Sequence, residues 1–176
     1  MRAGTVVRRF LTPGWLVTLL AWLRYRCLVS PRAEVELTAH LRLGRGAVIG
    51  SFTKVKATDG PLLIGEHVEI ASHCVITSHT AGVTIGDDTM IGPHVSIIGN
   101  NYRYDRLDVP IRLQEKFSTQ GIRIGRGAWI GAGCVLLDGA DLGAGAILAP
   151  GSVLAGPIPA NAIAQGNPPK VIFTRR

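Results

Sequence analysis

The sequence predicts an all-β solenoid in which short strands wind into a triangular tube, and two observations support this prediction. From residue 37 onward the chain repeats every six residues, and all sixteen hexads in this register begin with Leu, Ile or Val. The fifth position of most hexads holds a small residue, which would fill the space beside each aliphatic side chain. A six-residue unit cannot bury its aliphatic side chain alone, so successive units must stack on one another.

The hexads define which side chains should form the core. Their first positions are Leu37, Leu43, Ile49, Val55, Ile64, Ile70, Ile76, Ile85, Ile91, Ile97, Ile124, Ile130, Leu136, Leu142, Leu148 and Leu154. The small fifth-position residues include Cys74, Thr80, Cys134 and Ser152. The period breaks at 61–63, at 82–84 and over a long interruption at about 103–123.

All five histidines occupy the fourth position of a hexad, together with Asp88, Asn100 and many glycines. These residue types tolerate positive φ, so the fourth position is interpreted as a corner of the triangle. Being a histidine there is therefore weak evidence of catalysis. His79 stands apart because it lies beside the break at 82–84 and one coil before Asn100, next to the long interruption.

Composition and charge exclude several classes of protein. The net charge of +7 arises largely before Glu34, in the N-terminal arginines, and basic, aromatic and glycine residues do not interleave as in RNA-binding proteins, so no nucleic-acid partner is expected. Cys27, Cys74 and Cys134 form no CxxC pair, which indicates reduced thiols in a cytosolic setting.

Residues 1–33 are predicted to form an N-terminal region that holds one helix, and residues 34–176 the repeat domain with a basic tail. The apolar run Trp15–Leu23 is shorter than the roughly 20 residues that span a bilayer, and no cleavage site follows it, although "VRRFL" faintly resembles a twin-arginine signal. We expect a helix from near Pro13, with residues 13–26 lying in a membrane interface or packing on a neighbouring subunit.

These [LIV]-G-x-x-[small]-x repeats resemble the hexapeptide-repeat acyltransferases over about residues 37–173. The resemblance implies a left-handed parallel β-helix, a homotrimer with active sites between subunits, and acetyl-CoA as acyl donor, with no metal. The segment "SHTAGVTIG" at 78–86 is similar to the serine acetyltransferase motif D-H-A-T-G-I-V-V-G, whose histidine is the general base. His79 is then the expected base, with Asn100 donating a hydrogen bond or positioning the substrate.

The chain also departs from those patterns. Ser78 replaces the aspartate before the base, and Ile64 stands where an orienting aspartate is expected, with Glu66 or Glu69 as possible substitutes. Sugar and polysaccharide O-acetyltransferases carry D-H-N-H-x-Y before "PIR.Q", whereas Asn100 and Tyr102 occupy those two histidine positions here. The acceptor contacts expected from residues 99–123 are Tyr102, Tyr104, Asp105 and Arg112.

The segment from "AWIGAGCV" to "GNPPKVI" most closely resembles the acetyl-CoA-binding part of that family. The resemblance assigns donor binding to Trp129, Gly131, Ala132, Pro150, Gly151, Ser152, Gly166, Asn167, Pro168 and Lys170. Glycine corners allow an extended ligand to approach backbone donors, although most of these glycines could serve as corners alone. Position 169 is Pro where the family usually has Ala.

The leading hypothesis is an acetyl-CoA-dependent O-acetyltransferase that acts on a sugar or glycan precursor, located in the cytoplasm and held by its helix at the inner membrane face. One alternative is a γ-carbonic-anhydrase-like zinc enzyme that uses His67, His73 and His94, although His67 and His73 should lie on different faces. The other is an inactive scaffold of the same fold, which the missing histidines at 100 and 102 favour.

Overall fold

Three parallel sheets form the faces of a triangular prism, as the hexads predict. The structure, a computed structural model, describes residues 13–57 and 59–176. Each coil of the chain adds one strand to sheet A, one to sheet B and one to sheet C. The chain turns between these sheets at what we call the A–B, B–C and C–A corners. Residues 1–12, including the "VRRFL" segment, lie outside the described residues.

The strands are short and in parallel register along each face. Sheet A contains β1 (Leu28–Val29), β4 (Val48–Ile49), β7 (Glu69–Ile70), β10 (Met90–Ile91), β15 (Trp129–Ile130), β18 (Ile147–Leu148) and β21 (Ala162–Gly166), to which β22 (Pro169–Thr174) adds antiparallel. Sheet B contains β2 (Glu34–Val35), β5 (Lys54–Lys56), β8 (Val75–Thr77), β11 (Ser96–Ile98), β16 (Val135–Leu137) and β19 (Val153–Leu154). Sheet C contains β3 (Leu41–Leu43), β6 (Leu62–Ile64), β9 (Val83–Ile85), β14 (Ile122–Ile124), β17 (Asp141–Leu142) and β20 (Pro157–Ile158).

The core confirms the register of the repeat with one exception. Every first-position aliphatic side chain is buried except Leu37, which is 39% exposed. The first coil buries Val35 on sheet B instead, where it pairs with Val55, and Leu37 then lies in the turn toward sheet C. The predicted core position of Leu37 is therefore wrong, because the first B–C corner begins two residues earlier than the hexad register implies.

Cys74 and Cys134 are small core residues, as the fifth-position pattern predicts, whereas Cys27 lies before the first hexad. Cys27, Cys74 and Cys134 are all buried and free. Burial raises the pKa of each thiol above its ordinary value, although backbone N–H groups partly oppose this shift. Cys74 donates its S–H to the carbonyl of Gly92, 3.2 Å away on the next coil. These thiols therefore pack the prism and remain protonated near neutral pH.

Helix α1 (Gly14–Tyr25) closes the N-terminal end of the prism. The helix residues Val17 and Ala21 are buried, and the Thr18 hydroxyl is 2.8 Å from the carbonyl oxygen of Val29 in the first coil. The first strand begins at Leu28, inside the region 1–33 assigned to the helix from sequence. Among the described residues, no helix has both the length and the apolar character that a membrane crossing requires.

The long interruption is a protruding hairpin. Its strands are β12 (Asn101–Tyr102) and β13 (Lys116–Phe117), which pair antiparallel, and a 3₁₀ turn covers Ile111–Leu113. The Gln114 side-chain amide donates to the carbonyls of Arg106 and Val109, each at 2.8 Å. The hairpin leaves the B–C corner after β11 and returns to sheet C at β14, so the insertion belongs to one corner only.

Candidate active site

All three breaks in the repeat lie at the B–C corner, on successive coils. The backbone N–H of Val83 donates to Pro61 O at 2.9 Å, and that of Ile122 donates to Gly82 O at 3.1 Å. The segments around 61, 82 and 121 therefore stack above one another. The extra residues widen this corner relative to the other two, which gives the chain room to form a site there.

His79 lies at the B–C corner but lacks the positive φ of three other corner histidines. His67, His73 and His94 have φ values of 54°, 63° and 59°, as their fourth-position placement predicts. His79 is not among the residues with positive φ, and in its turn Gly82 adopts the left-handed conformation with φ of 84°. His79 lies at a corner as predicted, but it lacks the positive φ that was expected to favour histidine there, so backbone conformation does not explain its identity.

His40 lies at the same B–C corner, two coils before His79, and it too is not among the residues with positive φ. Its side chain is exposed, and its backbone carbonyl accepts a hydrogen bond of 2.9 Å from Leu62 N. Backbone conformation alone therefore does not separate these two histidines. The side-chain contacts of His79 distinguish it from His40.

Three of the other histidines have structural partners at different corners. His73 stacks on both Phe52 and His94 at the A–B corner, with ring centroids 5.0 Å apart in each pair. His67 at the C–A corner lies 3.4 Å from Asp88. These contacts account for the three side chains without a catalytic role.

The proposed zinc ligands are therefore not brought together within one chain. His67 occupies the C–A corner, whereas His73 and His94 occupy the A–B corner, on different edges of the prism as expected from sequence. Within residues 13–57 and 59–176, no group of three or more His, Cys, Asp or Glu side chains is placed to hold a metal ion. The zinc-enzyme hypothesis gains no support from this geometry.

Two hydroxyl groups meet one nitrogen of the half-buried His79 ring. His79 Nδ1 is 3.1 Å from Thr80 Oγ1 and 3.4 Å from Ser118 Oγ. Thr80 was expected in the core, but it is exposed because the chain leaves the coil at Ser78 before turning. Ser118 comes from the far end of the hairpin, and no sequence pattern connects it with His79. Since both hydroxyls lie at Nδ1, Nε2 is the nitrogen available to a substrate.

Close backbone packing holds the segment that carries His79. An ideal Cβ on Gly60 would lie 1.9 Å from His79 O, and one on Gly121 would lie 2.6 Å from both Ala81 O and Gly82 O. The buried Ser78 hydroxyl donates to Pro61 O at 2.6 Å, so it anchors the backbone and does not orient the imidazole ring. These glycines were not recognised from sequence because they lie on different coils from His79.

Asp138 fixes the returning end of the hairpin. Its carboxylate accepts hydrogen bonds of 2.7 Å from Thr119 N, Thr119 Oγ1 and Gly121 N. Burial would raise the pKa of Asp138, but these hydrogen bonds outweigh burial and leave the pKa lowered. Asp138 is thus ionised at neutral pH and holds Thr119 in place, directly after Ser118.

Asn100 stacks next to the His79 segment, on the following coil. Gly99 N donates to Thr77 O at 2.9 Å, and the Thr77 hydroxyl lies 3.4 Å from Asn100 Oδ1. The expected proximity of positions 79 and 100 is therefore present in the structure. Asn100 is half-buried, so its side-chain amide can face a bound molecule.

The predicted acceptor residues are exposed along the hairpin. Tyr102 lies at its base, where Lys116 Nζ is 5.5 Å from the centre of its ring. Tyr104 is 69% exposed, and Asp105 and Arg112 are also exposed. Among the described residues no hydrogen bond joins these last three to His79, so they flank the site at a distance.

The possible orienting carboxylates, Glu66 and Glu69, lie elsewhere. Glu66 is at the C–A corner, where its carboxylate is 3.9 Å from Arg45, and Glu69 lies on the outer face of sheet A. Neither residue shares the B–C corner with His79. Within one chain neither glutamate orients His79, and the groups that contact its Nδ1 are the hydroxyls of Thr80 and Ser118.

Most of the predicted donor-binding residues form a strip along the A–B corner. Gly131 packs beneath Pro150, since an ideal Cβ on Gly131 would lie 2.6 Å from Pro150 N. The Ser152 side chain is buried and donates to Ala149 O at 2.7 Å, so its hydroxyl faces the core. The strip comprises Trp129, Gly131, Ala132, Pro150 and Gly151, and it continues into the β21–β22 turn with Gly166, Asn167, Pro168 and Lys170.

A groove on the outer face of sheet C begins at Ala81, two residues after His79. Two adjoining depressions of about 360 and 490 Å³ share Arg123 and Asp141, and they extend from Ala81 to Ala160. The Arg123 guanidinium donates to the Asp141 carboxylate across the groove floor, with Nε 2.9 Å from Oδ1. Sequence patterns missed this groove, because its side chains point outward and the packing of the core does not constrain their identity.

The comparisons with known proteins agree with this architecture. Residues 121–156 match the family model described as bacterial transferase hexapeptide (six repeats). Over these residues the chain carries the hexapeptide repeats of that transferase family. The prism is the left-handed parallel β-helix of the solved hexapeptide-repeat acetyltransferases that superpose on it, which confirms the expected fold.

Three individual proteins illustrate the similarity. A probable acetyltransferase of Mycobacterium tuberculosis is 30% identical over 97% of this chain and 61% of its own length. Nodulation protein L of Rhizobium leguminosarum bv. viciae is 45% identical over 61% of this chain and 55% of its own length. AntD, an N-acyltransferase from Bacillus cereus solved as a point mutant with dTDP and coenzyme A, superposes with a TM-score of 0.76 at 16% identity, covering 90% of this chain and 88% of AntD. The chain thus spans between half and two thirds of the length of these two curated relatives.

Proposed function

We propose that this chain is an acetyl-CoA-dependent O-acetyltransferase that acts on a sugar or glycan precursor, with His79 as general base. The observation that carries the proposal is the setting of His79. It is half-buried two residues before a groove that begins at Ala81, it lacks the left-handed turn conformation, and two hydroxyls lie at its Nδ1. Supporting this, curated relatives include an acetyltransferase, and AntD has been solved with coenzyme A and a dTDP group.

His79 would handle one proton during the transfer. Acetyl-CoA supplies an acetyl group activated as a thioester. His79 Nε2 removes the proton from an acceptor hydroxyl as that oxygen forms a bond to the thioester carbonyl carbon. When the carbon–sulfur bond breaks, the imidazolium of His79 returns the proton to the leaving sulfur, so the products are the O-acetyl ester and free coenzyme A. Backbone N–H groups of the corner would stabilise the negative charge that develops on the carbonyl oxygen.

Asn100 and the hairpin would bind the acceptor. The Asn100 amide can donate one hydrogen bond while its oxygen lies 3.4 Å from the Thr77 hydroxyl. Tyr102 stands two residues further along, and Tyr104, Asp105 and Arg112 are exposed on the hairpin, where they can contact a larger glycan. A sugar ring offers both an apolar face and several hydroxyls, and aromatic and charged side chains suit these two features.

A second subunit would complete the site in the homotrimer expected for this superfamily. Within one chain the donor strip lies at the A–B corner and His79 lies at the B–C corner, so they occupy different edges of the prism. We propose that the donor lies between the sheet C groove of one subunit and the strip of its neighbour. The apolar residues Val171, Ile172 and Phe173 of β22 are each at least 45% exposed, and a subunit contact would bury them.

Helix α1 would associate with the surface of an anionic membrane. Trp15, Leu19, Trp22 and Leu23 are between 43% and 62% exposed along one side of the helix. The Arg26 guanidinium lies 5.4 Å from the centre of a Trp22 ring, so cationic groups flank this apolar side. Such a helix suits a lipid interface, where lipid-linked sugars could meet the site.

Replacing Trp15 and Leu23 by serine should weaken binding to anionic phospholipid vesicles by at least about tenfold, because it removes exposed apolar area that the lipid interface would bury. Vesicle sedimentation gives the binding, and light scattering gives the particle mass. Leu107→Ser is the matched control, since Leu107 is fully exposed on the hairpin. A double variant that binds vesicles normally contradicts the lipid role, and one that loses its trimeric mass indicates that the helix contacts a subunit instead.

The transfer activity itself is tested by following the free thiol released from acetyl-CoA in the presence of sugar and glycan acceptors. The proposal expects thiol release that depends on an acceptor, together with an O-acetyl product seen by mass spectrometry. Tight acetyl-CoA binding without transfer to any acceptor would favour the scaffold hypothesis. A structure with coenzyme A bound would show whether the thiol lies within reach of His79 Nε2.

A further inference from the structure

The hydroxyls at His79 Nδ1 form a small connected network. Thr80 Oγ1 and Ser118 Oγ are 3.1 Å apart, and each also lies near Nδ1. Ala81 N donates to Ser118 Oγ at 2.9 Å, which fixes the position of that oxygen. Residues 79–81 and 118 therefore share one set of hydrogen bonds, although 39 positions separate His79 from Ser118.

The groups that contact His79 Nδ1 are hydroxyls. Within the part of the chain that the structure describes, no carboxylate forms a hydrogen bond with the His79 ring. Asp138 is the carboxylate that is linked to Ser118, through the neighbouring Thr119. It already accepts three hydrogen bonds of 2.7 Å from Thr119 and Gly121. Asp138 thus acts one step further away, by holding the strand end that presents Ser118.

We propose that Thr80 and Ser118 are positioning residues that keep the hydrogen of neutral His79 on Nδ1 and the lone pair on Nε2. The proposal rests on the proposed function only in giving Nε2 the role of base. Nδ1–H donates to Thr80 Oγ1, the Thr80 hydroxyl donates to Ser118 Oγ, and Ser118 Oγ also accepts from Ala81 N–H.

This arrangement serves both protonation states of the ring. When Nε2 takes a proton, both ring nitrogens carry hydrogen, and Thr80 Oγ1 continues to accept from Nδ1 without any rotation. If Nδ1 were the acceptor instead, the hydrogen of the neutral ring would sit on Nε2 and block its role as base. The two hydroxyls thus take the place of the carboxylate that binds Nδ1–H of the catalytic histidine in many enzymes.

The test begins with the tautomer of the full-length protein labelled with ¹⁵N-histidine. Long-range ¹H–¹⁵N spectra distinguish a ring with hydrogen on Nδ1 from one with hydrogen on Nε2, and the His79→Gln variant identifies the His79 signals by their loss. Wild type should show hydrogen on Nδ1. The variants Thr80→Val and Thr80→Val/Ser118→Ala should move the population toward hydrogen on Nε2, whereas Ser118→Thr, which keeps an oxygen, should preserve the wild-type spectrum.

The kinetic result should follow the tautomer. Loss of one neutral hydrogen bond should lower kcat about tenfold in Thr80→Val, with the KM for each substrate changed by about twofold or less, and Ser118→Thr should keep near wild-type turnover. Ser96→Ala is the control, because it removes a hydroxyl from the outer face of sheet B in the coil that carries the hairpin.

Two outcomes overturn the proposal: hydrogen on Nε2 in wild type, or a tautomer that the double variant leaves unchanged. A fall in Tm with an unchanged tautomer likewise means that Thr80 and Ser118 only support the fold. If wild type transfers no acetyl group, the proposed function fails, yet the spectra still decide whether these hydroxyls set the tautomer.

Discussion

Replacing His79 with alanine should lower the rate of acetyl transfer by roughly 10²- to 10⁴-fold, the usual contribution of a general base. The His79 ring contacts the hydroxyl of Thr80 in the turn and the hydroxyl of Ser118 in the hairpin. Its loss leaves the acceptor hydroxyl without a group to take its proton. Thiol release from acetyl-CoA, measured at saturating acceptor, gives the effect on kcat.

His94→Asn provides the matched comparison for this variant. His94 is exposed at the A–B corner with φ of 59°, and asparagine tolerates that conformation. Its stacking on His73 should matter only for local packing, so turnover should stay within about twofold of wild type, as for most surface substitutions. If His79→Ala turns over at the wild-type rate, His79 has no part in the mechanism.

Gly60→Ala should reduce both activity and stability, although residue 60 lies on a different coil from the base. The new methyl carbon would sit 1.9 Å from His79 O and 2.9 Å from Thr80 N, so the backbone that carries the base must move. Overpacking of this kind costs about 1–3 kcal/mol of unfolding free energy. A displacement near 1 Å at a catalytic group lowers kcat by about 10²-fold.

Gly156→Ala separates this effect from the general cost of adding a methyl group. Gly156 lies at the same B–C corner three coils beyond His79, and a Cβ there meets no atom within 4 Å. Urea unfolding and thiol-release assays on both variants provide the comparison. We expect wild-type behaviour from Gly156→Ala, and equal kcat values for the two variants would show that Gly60 does not hold the His79 segment.

The repeat predicted the core and one half of the site. The aliphatic side chains at first positions and the small side chains at fifth positions fill the prism, and for this reason they recur every six residues in the sequence. Leu37 and Thr80 break this rule, and both lie at the B–C corner, where the chain leaves the regular coil. His79 and Asn100 could be placed together because one coil and a three-residue break separate them.

Sequence patterns could not identify Ser118, Gly60 or the groove on sheet C. Ser118 reaches His79 only because the hairpin folds back and Asp138 fixes its returning end. Gly60 matters because of a backbone approach between coils that leaves no periodic mark. The groove depends on outward-facing side chains, whose identity the packing of the prism does not constrain.

The sequence by itself determined the solenoid, because the first position of each hexad holds an aliphatic side chain that only stacking can remove from water. It also determined where the solenoid is interrupted, since extra residues must leave the coil at a corner. The tertiary structure decided how the hairpin folds back on His79 and which hydroxyls lie at its ring. Those contacts join separate coils and the two ends of a hairpin, and they arise from chain closure in space, which no local periodicity records.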